Sequence, residues 1–342
     1  GVLYIRGEYP KSIEAINGCI NELKKLTSHD QHSQINVDEI SHLSNTDQAE
    51  KIAEGFTSIQ NKYEPLQKDD ISIPKFEEKD IPLFHPSQIW FVFSRLDTKK
   101  SNVPQDFPAH LIKKFAAYLA EPFTHILNAS IKRGEYPNIY KFEFCTPVPK
   151  KFPPENIKDL RNISGLKFFD KVMEKLISQL IISDMEASMD PAQFGNQKGM
   201  SIKHYLIQMI HRILTAVDNN ARGEIVAVVA NLIDWNNAFP RQCPKLGVES
   251  FIKNGVRPSL IPLLVNYFQD REMKVKWHGA VSKTRKIFGG GPQGATLGIL
   301  EYLSQSNNNA DCVNVEDRFK FIDDLTTLEV CLLYTSPSPR DS

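Results

Sequence analysis

Three aspartates follow apolar stretches that predict strands, an arrangement that can bind divalent cations. Asp234 ends the nearly continuous apolar run of residues 224–234, and the pair Asp323 and Asp324 follows the largely apolar residues 319–322. Carboxylates at the ends of two strands can converge on a pair of cations about 3.5 to 4 Å apart. One cation lowers the pKa of an attacking hydroxyl, and the other stabilises the leaving phosphate group. The arrangement of two strands that each end in aspartate, and not the spacing alone, therefore predicts a two-metal site.

The adjacent pair Asp323 and Asp324 needs a partner of positive charge. Two neighbouring carboxylates repel each other when both are ionised, and a bound metal ion would relieve that repulsion. An arbitrary Asp-Asp pair more often lies in a surface turn. The upstream apolar strand that ends in Asp234 is the observation that favours a metal site here.

The hydrophobic periodicity predicts the strands and helices that would position these aspartates. Residues 224–234 form one predicted strand, and residues 319–324 begin a strand, turn, strand unit. Helices with buried faces are predicted at residues 166–182 and 202–217, and two helices at residues 108–133, where Pro122 would open the second. The remaining predicted elements are a strand at 142–148, helices at 245–254 and 258–269, a hairpin of strands 273–278 and 281–288 around Gly279, and a helix from about Ala295.

Composition and cysteine usage limit the classes of protein to consider. Lys plus Arg number 41 and Asp plus Glu number 41, so the net charge of zero gives no bulk electrostatic attraction to nucleic acid. The five cysteines are scattered without a CxxC pair. This indicates neither a zinc site nor a disulfide framework and favours an intracellular protein, nuclear or cytoplasmic, that is not secreted. No apolar run approaches the roughly 20 residues that span a bilayer, so no membrane partner is expected.

Both ends of the sequence are expected to lie outside the catalytic region. Residues 12–66, with an amphipathic stripe at residues 13–23, predict an exposed helical lead-in, and the charged residues 67–87 predict a linker. The start lacks a Met and a signal-peptide pattern, which is typical of a fragment. Residues 331–342 include a Ser- and Pro-rich stretch and resemble translated adaptor sequence, so we exclude this tail from the predicted fold.

Local clusters of positive charge are the sequence feature that could bind nucleic acid. One cluster lies in the predicted hairpin and comprises Arg271, Lys274, Lys276, Lys283, Arg285 and Lys286. Strand alternation would place several of these on one face, suited to salt-dependent contact with a phosphate backbone. Lys99, Lys100, Lys113 and Lys114 form a second cluster. A solvated surface is an equally weighted alternative for each cluster.

Several motifs, in the same order, resemble those of the reverse transcriptase domain of non-LTR retrotransposons. The three catalytic motifs are residues 233–239 (Ile-Asp-Trp-Asn-Asn-Ala-Phe), residues 291–294 (Gly-Pro-Gln-Gly) and residues 321–324 (Phe-Ile-Asp-Asp). Residues 148–150 and 159–164 resemble the two fingers motifs, and residues 100–108 resemble the entry motif of the family. The resemblance covers roughly residues 95–330.

The resemblance implies a role for each matching residue. Asp234 and Asp323 would bind two Mg²⁺ ions, or Mn²⁺ in their place, with Asp324 assisting. Phe239 would stack under the nucleotide sugar and exclude a 2′-hydroxyl. Lys150 and Arg161 would approach the triphosphate, with Lys151 as a rival to Lys150, while Gln293 and Gly294 would lie against the templating base pair. The glycines at 289–291 would offer backbone N–H groups and a close approach for that base pair.

Four residues depart from the usual pattern of the family. Asn162 stands in place of a Pro, Pro240 in place of an Asp, Ala295 in place of a Ser and Gln105 in place of a Gly. None of the four is a predicted metal ligand. They leave open whether this copy is catalytically active, because retrotransposon copies decay by mutation.

The resemblance implies an α+β right-hand polymerase fold, with a fingers region at residues 88–222 and a palm at residues 223–330. The palm would be an antiparallel sheet that bears the aspartates, with helices behind it, and the thumb is expected to be missing. The implied reaction adds deoxynucleoside triphosphates to a DNA primer on an RNA template. Two alternatives stay open: another palm polymerase, for instance one that makes RNA, and a decayed or truncated domain that binds nucleic acid without turnover.

Overall fold

Helices and strands are mixed along the chain in an α+β arrangement. The computed structural model describes residues 35–98, 103, 106–218 and 225–333. Its helices are α1 Asn45–Gln60, α2 Pro86–Ser94, α3 Ala109–Lys114, α4 Ala116–Arg133, α5 Phe168–Met185, α6 Ile202–Asp218, α7 Pro244–Lys253, α8 Ile261–Phe268 and α9 Thr296–Ser306. Its strands are β1 Phe142–Pro149, β2 Leu160–Gly165, β3 Ile225–Ile233, β4 Arg271–Trp277, β5 Ala280–Val281, β6 Arg285–Ile287, β7 Arg318–Phe321 and β8 Asp324–Leu333. The predicted stripe at residues 13–23, the basic residues Lys99 and Lys100, and Gln105 lie outside the described residues.

The larger sheet joins strands from distant parts of the chain. Its order is β2-β1-β4-β5, and β6 also pairs with β4. β1 is antiparallel to β2 and parallel to β4, with Phe142 opposite Glu272. The predicted strand at residues 142–148 is confirmed. The predicted hairpin around Gly279 is also confirmed, although its second half consists of two short strands, β5 and β6, both antiparallel to β4.

Helices α2 to α5 and α7 to α9 share one hydrophobic core. Phe93, Phe251 and Leu264 are fully buried in it. Burial of an apolar side chain of this size stabilises the folded state by about 1.5–3 kcal/mol. The amphipathic patterns that predict α3 to α5 and α7 to α9 are therefore confirmed, because their apolar stripes are the residues that fill this core. The sequence analysis did not predict α2, which contributes Ile89 and Phe93 to the same core.

Pro122 does not open a helix, contrary to the sequence prediction. It lies inside α4, and the break between the two predicted helices falls at Phe115. A proline inside a helix costs about 3 kcal/mol. Ala120, Phe123 and Leu127 nevertheless continue one buried stripe on both sides of it. Burial of the Phe and Leu side chains, at about 1.5–3 kcal/mol each, offsets that cost.

A second sheet has three antiparallel strands in the order β3-β8-β7. β3 pairs with β8 from Ile225 opposite Leu333 to Ile233 opposite Leu325. The predicted strand ending before Asp234 and the predicted strand, turn, strand unit are both confirmed. β8 continues to Leu333, so the first three residues of the predicted tail form part of this sheet.

Helix α6 covers one face of the second sheet through a narrow contact. Tyr205 packs with Phe194, Phe319 and Leu328 in a small buried cluster, and its hydroxyl lies 2.6 Å from Thr326 Oγ1. The sequence predicts a buried face for α6, yet Tyr205 is the one buried residue among those described in this helix. The buried face is narrower than predicted, because a sheet of three strands presents little apolar surface to the helix.

Helix α1 is not the exposed lead-in that the sequence predicts. Its Ile52 and Ala53 are fully buried, and its Gln48 accepts a hydrogen bond of 2.8 Å from Trp277 Nε1 in β4. The helix packs against β4, β5 and β6. Its apolar residues recur at helical spacing, so a core-facing stripe was visible in the sequence.

Two further observations concern the described residues alone. No helix in this part of the chain is long and apolar enough to cross a membrane. Its cysteines, Cys145, Cys243, Cys312 and Cys331, are free thiols.

Candidate active site

Three aspartates meet at one rim of the three-stranded sheet. β3 ends at Ile233, so Asp234 comes next, and the register of β3 with β8 places it beside Asp324, the first residue of β8. Asp323 lies in the turn between β7 and β8. An antiparallel pair brings the end of one strand to the start of its neighbour, which is why residues so distant in sequence become adjacent. The structure therefore brings together the three predicted metal ligands.

The three carboxylates concentrate negative charge at this rim. Partial burial, together with the charges of Asp323 and Asp234, raises the pKa of the Asp324 carboxyl above its ordinary value. No Lys or Arg in the described part of the chain forms a salt bridge with any of the three. Like charges held together destabilise one another unless a cation binds between them. The rim is thus suited electrostatically to a bound cation.

The protein side chains do not form a closed cation cage. Within residues 35–98, 103, 106–218 and 225–333, no three His, Cys, Asp or Glu side chains are placed to hold one metal ion. The donor chemistry still fits Mg²⁺, which binds oxygen ligands and usually keeps several waters while one or two carboxylates and the substrate phosphates complete its shell. The rim therefore fits Mg²⁺ as a site that the substrate completes.

Tyr302 of α9 is a residue of this site that the sequence analysis did not identify. Its side chain is 8% exposed. Burial, and then the charges of Asp323, Asp324 and Asp234, raise the pKa of its hydroxyl. The influence of all three carboxylates shows that the phenol lies near them. No local pattern signals this role, because Tyr302 has the spacing of an ordinary core residue of its helix.

Phe239 lies directly against Tyr302. The two ring centroids are 5.2 Å apart with an interplanar angle of 35°. Phe239 begins a short 3-10 turn, Phe239–Arg241, that follows the loop carrying Asp234. The Phe239 side chain is half-buried, so part of its ring remains accessible. The structure therefore places the predicted sugar-contacting residue beside the aspartates.

Gln242 connects this turn to the glycine loop at residues 289–291, and the sequence analysis did not identify it. Its backbone carbonyl accepts a hydrogen bond from the Gly290 N–H at 2.8 Å, and its Oε1 accepts one from the Gly291 N–H at 3.2 Å. Its Nε2 donates to the Gly298 carbonyl in α9 at 3.3 Å. The prediction that these glycine N–H groups face a ligand is therefore wrong for Gly290 and Gly291, whose N–H groups bond within the protein.

The next residues of this loop, Gln293 and Gly294, lie against β2. The Gln293 carbonyl accepts a hydrogen bond of 2.8 Å from the Ser164 N–H, and Gly294 has a φ of +110°, a conformation that favours glycine. Gly294 lines a groove of about 1270 Å³, whose other lining residues include Phe91, Arg95, Phe144, Lys171 and Lys276. Aromatic and cationic side chains in one groove suit a single-stranded nucleic acid.

The structure distinguishes the two rival lysines. Lys150 Nζ donates to Asn237 Oδ1 at 3.3 Å, which brings it to the loop that carries Asp234. Lys151 instead forms salt bridges of 3.4 Å with Glu155 and with Asp159. Lys150 is therefore the lysine placed at the site. Arg161 is exposed on β2, opposite Val148.

Some cations of the predicted basic hairpin are exposed, and others contact a carboxylate. Lys274 and Lys276 extend from the same face of β4, because alternate residues of this strand are buried. Arg285 forms a salt bridge of 3.3 Å with Glu50 of α1, and Lys283 donates its backbone N–H to the same carboxylate at 2.6 Å. Lys274 and Lys276 thus share a face of the sheet with Lys286, which lies opposite Glu272, and Lys276 lines the groove. Arg285 lies opposite the buried Met273, so it points to the other face, towards α1.

Arg271 is not available to nucleic acid, which contradicts the sequence prediction. Its side chain is 2% exposed, lies 4.0 Å from the Glu143 carboxylate and stacks 4.7 Å from the centre of the Tyr267 ring. Strand alternation explains the difference, because Arg271 has the opposite parity to Lys274 and Lys276 and points to the buried face.

The order of these motifs and their meeting at one rim resemble the reverse transcriptase domain of non-LTR retrotransposons, and the relatives of the chain support that resemblance. Two curated relatives, both from Drosophila melanogaster, are 28% identical to the chain. The probable RNA-directed DNA polymerase from transposon X-element matches over 242 residues, 68% of this chain and 25% of the relative. The corresponding protein from transposon BS matches over 180 residues, 52% of this chain and 19% of the relative.

The chain thus spans about a quarter or less of the length of these curated relatives. The two matches confirm the family resemblance that the motifs predict. No family model matches the sequence. Among solved structures, apo telomerase from Candida tropicalis, truncated from its C-terminal domain, aligns with 67% of this chain and 52% of that chain, at 10% identity and a TM-score of 0.40.

Proposed function

We propose that this chain carries the catalytic part of an RNA-directed DNA polymerase with a right-hand fold. The meeting of Asp234, Asp323 and Asp324 at one sheet rim, beside Phe239 and Tyr302, is the observation that supports the proposal most. Both Drosophila relatives are named as probable RNA-directed DNA polymerases. In this proposal residues 88–222 are the fingers and residues 223–330 are the palm.

Asp234 and Asp323 would hold two Mg²⁺ ions with the assistance of Asp324, and Mn²⁺ is an alternative. When bound, such ions lower the pKa of the primer 3′-hydroxyl and stabilise the departing pyrophosphate. The chain itself fixes the three carboxylates at one rim before substrate arrives. Positioning and electrostatic stabilisation of this kind supply most of the rate enhancement in phosphoryl transfer.

The nucleotide would bind between the aspartates and the end of β1. Lys150, held at the Asp234 loop, would serve as a point charge for the triphosphate, and Arg161 would contribute a bidentate contact. Phe239 would lie under the sugar, and its packing against Tyr302 would keep the ring from moving aside for a 2′-hydroxyl.

An RNA template and a DNA primer would occupy the groove beside Gln293 and Gly294 and the exposed face of β4. Lys274 and Lys276 would contact the phosphate backbone, and Lys283 would extend this basic surface at its edge. Such contacts are independent of sequence and weaken with salt. We expect the protein to act inside the cell, in the nucleus or the cytoplasm.

Primer extension by the wild type and by the Asp234→Asn variant tests the proposal. With poly(rA)/oligo(dT), dTTP and Mg²⁺, Asp234→Asn should lower incorporation by a factor on the order of 10² to 10³, the size of effect seen when one preorganised electrostatic contact is removed. Asp69→Asn, at an exposed position far from the rim in sequence, serves as the matched control. Equal incorporation by the wild type and Asp234→Asn would contradict the catalytic assignment.

Two alternatives predict other outcomes. A polymerase that makes RNA would incorporate UTP as well as dTTP, and Phe239→Val would then change nothing, whereas the proposal expects this variant to admit ribonucleotides. A domain that binds without turnover would bind the RNA–DNA hybrid in a fluorescence anisotropy titration and extend no primer. Lys276→Ala should weaken that binding in either case.

A further inference from the structure

The turn that carries Asp323 has an unfavourable backbone conformation. Ile322, directly before Asp323, has a φ of +60°. The left-handed region is strained for a β-branched residue, because its Cβ approaches the neighbouring carbonyl oxygen. Strained conformations persist only where the surroundings impose them, and they are enriched at functional sites. Something outside the turn must therefore hold it.

Gln193 makes the contacts that hold this turn. Its Oε1 accepts a hydrogen bond from the Ile322 N–H at 3.0 Å and another from the Gly195 N–H at 2.8 Å. Its Nε2 lies 3.5 Å from the Ile322 carbonyl oxygen. Gln193 is 6% exposed, so these bonds are shielded from competing water. One buried amide thus links both polar groups of the strained residue to the neighbouring loop.

That loop, residues 192–195, is itself fixed along the edge of the sheet, and we name it the bracing loop. The Phe194 N–H donates to the Lys320 carbonyl at 2.8 Å, and the Lys320 N–H donates to the Ala192 carbonyl at 2.9 Å. The Lys320 ammonium lies 2.6 Å from the Asp190 carboxylate just before the loop. Backbone pairing and a buried ion pair therefore anchor the bracing loop to β7.

Gly195 shows how closely the bracing loop approaches the turn. A Cβ at this position would lie 2.5 Å from the Ile322 backbone nitrogen and 2.5 Å from its Cγ1. Gly195 does not have a positive φ, so the conformation of its backbone does not require glycine. The requirement comes from close contact with the turn and with the Gln193 side chain.

We propose that Gln193 is a positioning residue that holds Asp323 at the rim near Asp234, so that these two carboxylates can bind divalent cations whose coordination the substrate completes. The inference rests on the proposed function. Gln193 touches neither substrate nor metal in this assignment and acts through the backbone of Ile322. Residues that orient metal ligands from behind typically change metal affinity by 10- to 100-fold when they are replaced.

Mn²⁺ binding to the intact chain, followed by the EPR signal of the free ion, tests this role without any need for turnover. Gln193→Leu should raise the Kd for Mn²⁺ by about 10-fold or more. Gln193→Glu keeps an oxygen that can accept both N–H bonds, so its affinity should stay close to the wild-type value. Gln48→Leu replaces a glutamine that is also 6% exposed but belongs to α1, and it should leave the affinity unchanged even where its Tm falls.

The outcomes separate the inference from the proposed function. If the wild type and Asp323→Asn bind Mn²⁺ equally well, the proposed function fails. If Asp323→Asn binds Mn²⁺ more weakly than the wild type while Gln193→Leu binds as tightly as the wild type, the positioning role of Gln193 is overturned. Should Gln193→Leu not fold, Gly195→Ala is the second variant, because its added Cβ would collide with Ile322 in the same turn. A folded Gly195→Ala protein with wild-type affinity would then refute the role of the bracing loop.

Discussion

Two groups of acidic side chains in this chain differ in burial and, through burial, in chemistry. The first group interacts electrostatically with the buried guanidinium of Arg271 and comprises Glu143, Asp170, Glu174 and Glu301. The second group lies at the rim of the three-stranded sheet and comprises Asp234, Asp323 and Asp324. Four buried carboxyl groups lie within the electrostatic influence of one guanidinium, whereas the rim carboxylates are open to solvent and to ligands.

The difference shows that position relative to solvent decides what an acidic residue does here. Burial raises the pKa of Glu301 to about 8, and it raises the pKa values of Asp170 and Glu174 above their ordinary range, because a buried carboxylate loses its hydration. The hydroxyls of Tyr136 and Tyr267 donate to Asp170 and Glu174, each at 2.5 Å. The buried acids are thus structural, and the rim acids remain free to bind cations.

Replacement of Arg271 should cause the largest loss of stability. Arg271→Met should lower the free energy of unfolding at pH 7 by about 3–5 kcal/mol, because loss of one partner leaves buried charges uncompensated. The loss should shrink at about pH 5, where more of the acids are protonated. Urea denaturation measures both values. Arg241→Met, at an exposed arginine, should change stability by less than about 0.5 kcal/mol, and equal losses in the two variants would refute the buried-cation role.

Glu301 should give the protein a pH-dependent stability. Its folded pKa of about 8 lies above the ordinary value of 4.5, so Glu301 takes up a proton on folding. The stabilisation is complete below the unfolded value and is lost as the pH rises through the folded one. Glu301→Gln mimics the protonated acid, so it should flatten this slope and exceed the wild type by a few kcal/mol at most near pH 8.

Denaturation of the wild type and Glu301→Gln at several pH values between about 5 and 8 measures that slope. Glu249→Gln, in the exposed part of α7, is the matched control and should keep the wild-type profile. Parallel profiles for the wild type and Glu301→Gln would show that Glu301 is ionised in the folded protein.

The smallest change in stability is expected for a substitution at the aspartate rim. The pKa of Asp324 is raised, so its ionisation at neutral pH costs some stability. Asp324→Asn should therefore stabilise the protein at pH 7, by no more than a few tenths of a kcal/mol, because this side chain is exposed and solvent screens its charge. Thermal unfolding at low and at high salt measures the gain, which should vanish at about 1 M salt, where the screening length is about 3 Å. A loss of stability at low salt would contradict the repulsion between the rim carboxylates.

The sequence predicts where the rim aspartates lie because the patterns that mark each strand end are local. An apolar strand that stops at Asp234 and a strand, turn, strand unit around Asp323 each specify where a carboxylate emerges, and the family resemblance joins the two. Sequence order also separates the motifs correctly along the chain. What the sequence does not contain is the relative placement of the segments that support the rim.

Contacts between distant segments account for what the sequence analysis missed. Gln193 and Gln242 read as ordinary loop residues until their partners at Ile322 and Gly291 are known. Arg271 is a different case, because strand parity alone would have assigned it to the buried face of β4. It was grouped with the exposed lysines by charge, because strand alternation was applied to the cluster without assigning each residue to a face.

The parallel pairing of β1 with β4 has a consequence for how this chain folds. β1 precedes α5 and β4 follows α8, so the larger sheet cannot close until most of the chain is available. Pairing between strands so distant in sequence raises the contact order and slows folding. The predicted fingers and palm therefore should not refold as independent pieces, and a nascent chain would hold the unpaired edge of β1 open until β4 has been synthesised.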